Sequence, residues 1–226
     1  MKKSIRTLRD RFAALQTERE RTWAPELVAA GRLQRQRLVE QARTQRFAQK
    51  GDRLDEVALQ TSDGSSIALE QLLQAGPIAL VFFRFAGCPA CNIALPYYQE
   101  ALLPGLEQRG IGLLAVSPQI PGRVQEIALR HELRFPVLTD PANALARRLG
   151  ILFEPTDAEK AAATARGNFI GDTTGTGTWE LPMTAVLLID RDRVVQFVDI
   201  SPDWLARTEA EPILAAADAL SLSRAA

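Results

Sequence analysis

One stretch limits what this chain can fold into more than any other: Ile78-Ala79-Leu80-Val81-Phe82-Phe83, followed by Arg84 and Phe85. An apolar run of strand length with no polar alternation suits a strand buried on both faces, and such strands belong to sheets covered by helices on each side. The neighbouring sequence supplies both kinds of element. Residues 112–117 read as a second buried strand, 124–132 as a helix, 135–138 as a short strand and 142–149 as a helix. Residues 183–189 and 194–198 read as strands joined at Asp190-Arg191-Asp192-Arg193, and 210–220 as a closing helix. Upstream, 57–59 and 67–69 flank the turn cluster Ser62-Asp63-Gly64 and read as a hairpin. Strands alternating with helices predict an α/β fold around a central sheet with parallel and antiparallel pairings.

The buried strand runs into Gly87-Cys88-Pro89-Ala90-Cys91-Asn92, and a helical stretch interrupted at Pro96 and Pro104 follows to about Arg109. Cys88 and Cys91 are the two cysteines of the chain. At a helix N-terminus the free backbone N–H groups and the macrodipole stabilise an anion, so Cys88 is expected as a thiolate near neutral pH. Pro89 fits a first helical turn without losing a hydrogen bond and sets Cys91 one turn further in, from where it can attack back. A disulfide between them would exchange two electrons with a dithiol or an oxidised sulfur, through a mixed disulfide or a sulfenic acid. Zinc requires about four ligands, which two cysteines and the single His131 do not supply within one chain. A structural bridge across so short a span adds little stability.

Two further positions suit such a site. Pro182, in Leu181-Pro182-Met183-Thr184, precedes a buried strand; in the cis form it would present backbone to the cysteines, and otherwise it is an ordinary trans proline at a strand start. Arg84, four residues before Cys88, either holds the thiolate or points outward at an edge. His131 stands between Arg130 and Glu132 and is read as facing solvent, with no role.

The formal net charge of zero hides an asymmetry. Residues 1–50 hold 13 Lys and Arg against 5 Asp and Glu, a balance of +8; the remainder holds 14 against 22, a balance of −8. The division predicts a basic helical extension over 1–50 and a domain over 51–226. Ile5, Leu8, Phe12 and Leu15 draw one apolar stripe on a first helix, Trp23-Ala24-Pro25 breaks it, and a second helix runs from Pro25 to about Gln49. The stripe needs cover, which points to a homodimer through these helices or to folding back on the chain's own domain. Without interleaved aromatics the extension does not read as a nucleic-acid-binding arm. No stretch reaches the length of about 20 apolar residues that spans a bilayer, and the first residues lack the apolar core of a leader, so a cytoplasmic setting is expected. Between 150 and 181 regularity fails: Gly167, Gly171, Gly175 and Gly177 lie among threonines, without the lysine of a phosphate-binding loop. This segment reads as a mobile loop, a lid or an inert insertion.

From about Gly51 to Leu220 the chain resembles the thioredoxin-fold, peroxiredoxin-like proteins of the alkyl hydroperoxide reductase C and thiol-specific antioxidant superfamily. The resemblance rests on Gly51-Asp52, on Phe82-Phe83-Arg84 leading into Cys88-Pro89-Ala90-Cys91-Asn92, on Phe135-Pro136-Val137-Leu138-Thr139-Asp140-Pro141, and on Leu181-Pro182-Met183-Thr184 leading into Leu188-Ile189-Asp190. It implies a thioredoxin-like fold with an N-terminal helical extension, a peroxidatic Cys88, a resolving Cys91 and reduction of hydroperoxides by thioredoxin-like or small thiols. No metal or organic cofactor follows from it. The chain departs from the family pattern at three positions. Phe85 and Val81 stand where a threonine and a proline are usual, and Thr184 stands where an arginine polarises the peroxide. Arg84 could replace that arginine if it reaches the pocket. The C-x-x-C spacing and Pro182 also resemble thioredoxin-like disulfide reductases, which makes protein disulfides the alternative substrate.

Overall fold

The computed structural model describes residues 5–223, so residues 1–4, on which the reading of a missing leader partly rests, lie outside the described residues. Two helices lead, α1 (Leu8–Thr22) and α2 (Pro25–Ala42). The hairpin β1 (Ala58–Gln60) and β2 (Ser66–Ala68) and the short α3 (Leu69–Leu73) follow. Next come β3 (Ile78–Phe82), α4 (Cys91–Ala101), α5 (Leu103–Glu107), β4 (Gly112–Ser117), α6 (Pro121–Arg130) and β5 (Val137–Thr139). The chain continues through α7 (Ala144–Arg148), β6 (Leu152–Phe153), α8 (Asp157–Thr164), α9 (Ile170–Thr174) and β7 (Leu181–Pro182). It ends with β8 (Thr184–Ile189), β9 (Val195–Ser201) and α10 (Ala210–Ser223). None of the described helices is long and apolar enough to cross a membrane.

Seven strands form one mixed sheet in the order β2-β1-β5-β4-β3-β8-β9, and β6 pairs with β7 apart from it. β3 is central: it pairs in parallel with β4 and antiparallel with β8, and all five of its residues are buried. That is why its sequence shows no alternation. The strand stops at Phe82, short of Phe85, and the chain turns out of the sheet toward α4. Of the two interruptions expected in the helical stretch after the cysteines, the structure has one: Leu102 separates α4 from α5 just before Pro104, whereas α4 runs unbroken through Pro96.

Three expectations are corrected. The second helix ends at Ala42 rather than near Gln49, because the backbone beyond it turns to other partners: Ala48 N–H donates to Leu149 O (3.0 Å) and Gly51 N–H to Val195 O (2.8 Å). The segment 150–181 is not an irregular loop. It contains β6, α8, α9 and β7, with a Thr156–Glu159 capping box starting α8 and a hydroxyl chain linking Thr174, Thr176 and Thr178. The helix expected over 142–149 starts only at Ala144, after a tight turn in which Ala142 and Asn143 take φ of 54° and 56°.

The N-terminal helices lie on the chain's own domain. Leu8, Phe12 and Leu38 are buried in the common core and Leu15 packs against it, so the stripe that suggested a dimer already has cover. Thr7 caps α1 by accepting from Asp10 N–H, and Glu209, just before α10, accepts from Leu8 N–H and Arg9 N–H, each at 2.9 Å. Arg11 pairs with Glu100 and Arg37 with Glu159. Each fully buried leucine or phenylalanine contributes about 1.5–3 kcal/mol, against about 0–1 kcal/mol for a partly exposed ion pair. The apolar stripe therefore holds the helices down, and the charge asymmetry mainly aligns them.

Candidate active site

The two thiols sit where β3 leaves the sheet, beside the ends of its parallel neighbour β4, the position at which open α/β sheets gather their functional groups. The exit loop is clamped from several sides. Ser117 Oγ donates to Arg84 O (3.1 Å), Ala86 N–H donates to Gln119 Oε1 (2.7 Å), and Asn92 Nδ2 donates to Ala86 O (2.7 Å) and Cys88 O (2.9 Å). From α6, Arg130 Nη1 donates to Ala86 O (2.8 Å) and to Asn92 Oδ1 (2.7 Å), and His131 Nε2 donates to the same Oδ1 (2.8 Å). The reading of His131 as solvent-facing is thus corrected: it helps to fix the loop that carries Cys88. Its neighbour Arg130 and partial burial hold its pKa below the usual imidazole value, burial being the larger cause.

Cys88 precedes α4 rather than opening it. Its carbonyl accepts from Cys91 N–H (3.0 Å) and Asn92 N–H (3.1 Å), forming a turn that leads into the helix, with Pro89 exposed on that turn and Cys91 as the first helical residue. Pro89 thus lies two residues before the first helical residue, within the usual uncertainty of a helix boundary. Both cysteines are free thiols and both are buried, Cys88 at 1 % and Cys91 at 0 % exposure. The Cys91 thiol donates to the Cys88 sulfur, and with Arg84 and Arg207 nearby this holds Cys88 well below the ordinary thiol range against the cost of burial. Burial, and then the neighbouring Cys88, push Cys91 well above it. One thiolate and one thiol in contact constitute a nucleophile with its proton-bearing partner.

Of the positions singled out from sequence, the structure brings Arg84 to the site and leaves Pro182 outside the sulfurs' contacts. The Arg84 guanidinium lies 5.7 Å from the Phe85 ring centroid and 5.2 Å from that of Trp204, on the thiolate side. Every described peptide bond is trans, including the one before Pro182, and Pro182 pairs with Leu152 in the small β6–β7 ladder. Of the two readings of Pro182, this is the ordinary trans proline at a strand start. Thr184 is buried in β8, its hydroxyl donating to Ser201 O (3.2 Å).

Arg207 escaped the sequence reading. It lies in the loop between β9 and α10, 8 % exposed; Nε donates to Trp204 O (3.0 Å) and Nη2 to Cys91 Sγ (3.4 Å). Burial works against its charge, and the two sulfurs more than offset this. It lines a narrow seam together with Val81 and Thr184, two of the positions where the family's usual residues are missing. Arg207 therefore brings a guanidinium from the loop after the adjacent strand to the place that Thr184 leaves uncharged. Trp204 and Arg19 were also missed. Arg19, from α1, stacks on Trp204 at 5.0 Å, and both are buried. The available signal was a tryptophan and an arginine three residues apart in Trp204-Leu205-Ala206-Arg207 next to a strand end, which no periodicity separates from an ordinary loop.

The AhpC/TSA family matches residues 50–198, a span that includes both cysteines and β1 through β8. Among solved structures, the fold is similar to Peroxidoxin BcpB from Mycobacterium tuberculosis, with 20 % identity, a TM-score of 0.58 and coverage of 76 % of this chain and 97 % of that one. It is similar to reduced Prx3 in complex with hydrogen peroxide from Vibrio vulnificus, with 19 % identity, a TM-score of 0.60 and coverage of 76 % and 99 %. A peroxiredoxin-like protein from Aquifex aeolicus follows at 15 % identity, a TM-score of 0.59 and coverage of 77 % and 89 %. At these identities the likeness is one of fold. No curated protein matches the chain. The mixed sheet with its covering helices is thus the thioredoxin-like fold expected from the sequence, and the chain belongs to the AhpC/TSA family of thiol-dependent oxidoreductases.

Proposed function

We propose that this protein is a peroxidase in which Cys88 is the peroxidatic and Cys91 the resolving thiol, with Arg207 in place of the family's missing strand arginine. The observation that carries the reading is the buried guanidinium of Arg207, which donates to Cys91 Sγ and stands with Arg84 among the positive charges near the Cys88 sulfur. In the first step the Cys88 thiolate attacks the terminal oxygen of a hydroperoxide. The S–O bond forms, the O–O bond breaks, and its electron pair leaves on the alkoxide. The alkoxide takes the proton held by Cys91, giving an alcohol, a Cys88 sulfenic acid and a Cys91 thiolate. That thiolate then attacks Cys88; the S–S bond forms and hydroxide leaves, taking a solvent proton to become water. A thioredoxin-like or small-thiol reductant supplies two electrons and two protons to restore the pair. Arg84 and Arg207 stabilise the negative charge as it moves from sulfur to oxygen.

The division into an arm over 1–50 and a catalytic domain over 51–226, and a reducing cytoplasmic setting for the two free thiols, belong to the same proposal. A homodimer through the N-terminal helices belongs to it as well: Leu8 and Phe12 are covered within the chain, while Leu27, Leu33 and Val39 of α2 are exposed. Stopped-flow oxidation of the reduced protein by hydrogen peroxide tests the reading. A rate far above that of a free thiol of similar pKa, ending in a Cys88–Cys91 disulfide, is the expected result. A rate no better than that thiol, with rapid exchange on a protein disulfide, would move the assignment to thiol–disulfide oxidoreductase. In Cys91→Ser the two readings also separate, since the peroxidase accumulates a sulfenic acid and the reductase a mixed disulfide.

A further inference from the structure

The indole of Trp204 is surrounded by guanidinium groups. Those of Arg19, Arg35 and Arg84 lie 5.0, 5.2 and 5.2 Å from its ring centroid, and Arg207 donates to its carbonyl. Three segments far apart in sequence contribute: the N-terminal helices, the exit loop of β3, and the loop after β9. Arg19 is 6 %, Trp204 7 % and Arg207 8 % exposed. Among the described residues, the one ion pair that any of these four arginines makes is Arg35 Nε to Asp203 Oδ1, 3.2 Å. The other nearby carboxylates are engaged elsewhere, Glu209 capping α1 and Asp199 accepting from Thr208. Arg19, Arg84 and Arg207 are left facing a single thiolate.

An excess of buried positive charge costs several kcal/mol unless an anion meets it. The hydrogen bonding points the same way, because Arg19 Nε, Arg84 Nε, Arg207 Nη1 and Trp204 Nε1 are buried donors with no acceptor from the protein. Four unsatisfied donors on residues packed around one indole are unusual in a native interior. An open groove of about 460 Å³, lined by Arg32, Arg35, Val39, Glu40, Arg43 and Asp203, adjoins the cage through Arg35, which stacks on Trp204.

We propose that this cage is an anion-binding site at the redox centre, and that the oxidant taken by the protein carries a carboxylate beside its hydroperoxide group. The carboxylate enters by the groove, meets the unpaired N–H donors around Trp204, and leaves the peroxide end toward Cys88. The role of the oxidant rests on the peroxidase reading above; the existence of the anion site does not. The arginines of the N-terminal helices then select substrate, and the arm is part of the binding site rather than a tether.

Two measurements test this. In Cys88→Ser, which cannot turn over, sodium benzoate should bind by calorimetry while benzyl alcohol should not, and added nitrate should compete; failure of benzoate to bind overturns the anion site. In the wild type, oxidation by para-carboxy cumene hydroperoxide should be about ten-fold faster than by its methyl ester at low salt, the ratio shrinking as salt rises. Arg19→Gln should bring that ratio toward one, and Arg19→Lys, which keeps the charge, should retain part of it. Benzoate binding together with equal rates for the two hydroperoxides would overturn the substrate assignment. Failure of the peroxidase reading looks different, since both hydroperoxides would then react no faster than with a free thiol.

Discussion

Replacing Arg207 by methionine separates its electrostatic role from any role in holding the fold. In the structure its Nη2 donates to Cys91 Sγ at 3.4 Å, Nε donates to Trp204 O, and Nη1 is buried with no protein acceptor. A charge-assisted hydrogen bond contributes about 1.5–3 kcal/mol. Arg207 shares the Cys88 charge with Arg84, and the larger part of the Cys88 shift comes from Cys91. The part of that loss which reaches the thiolate raises the Cys88 pKa. Stability should respond differently. Loss of the unmet Nη1 relieves a buried orphan donor, while loss of Nε leaves Trp204 O unmet, so the two changes oppose each other. Arg207→Met is thus expected to raise the Cys88 pKa and to slow oxidation by hydrogen peroxide at least about ten-fold, with Tm changed little. Iodoacetamide labelling of Cys88 across pH, read by mass spectrometry, gives the first quantity; stopped-flow oxidation and thermal unfolding give the others. A variant that keeps the wild-type pKa and peroxide rate would refute the assignment of Arg207. A variant with a sharply lowered Tm would show a structural residue instead.

Other expectations follow from the same geometry. The folded-state pKa of Cys88 is depressed, so its stabilising contribution is full above the ordinary thiol pKa of about 8.5 and is lost as pH falls through the folded value. The stability difference between reduced wild type and Cys88→Ser should therefore grow as pH rises from about 6 to 8.5, and a pH-independent difference in urea titrations would contradict it. Glu209→Ala removes the carboxylate that meets Leu8 N–H and Arg9 N–H. It should cost about 1–2 kcal/mol and speed labelling of the buried cysteines, whereas unchanged labelling would show that α1 does not shield them. Leu8→Ala should cost about 2–5 kcal/mol in chemical denaturation; a cost below about 0.5 kcal/mol would mean that the helix does not pack as described.

The central layer of the fold was legible because burial on both faces of a strand suppresses alternation, and β3, β4 and β8 all carry that mark. Cys88, Cys91 and Arg84 were legible for a related reason: strand, C-x-x-C and helix occur in the order that places a thiol at a strand exit. The segment 150–181 was not, because its glycines and threonines imitate a loop while its order comes from tertiary partners. Glu159, for example, meets Gln34 and Arg37 of α2. Arg207, Trp204 and Arg19 were hidden for the same reason. Each lies outside any periodic face, and their meeting depends on the N-terminal helices folding back over a loop nearly 200 residues away. Sequence alone left both destinations of that apolar stripe open, a second chain or the chain's own domain.

The bond from Leu8 N–H to Glu209 spans 201 residues, and that distance orders events during synthesis. The N-terminal helices are made first, yet their anchor emerges last. At about 5–20 residues per second the interval is on the order of 10–40 seconds. Throughout it, α1 and α2 have an apolar stripe without its cover, and as isolated helices they are marginal in water. Contacts this distant in sequence also form late in folding, after the sheet that supports them. The newborn chain thus has a completed β3–Cys88 turn before it has a roof over it. While the roof is missing, the thiols stand open to the solvent and the stripe to any chaperone that recognises amphipathic helices. The Leu8–Glu209 anchor of α1 can form only once residue 209 has been made, and a chain that ends before it would lack that anchor.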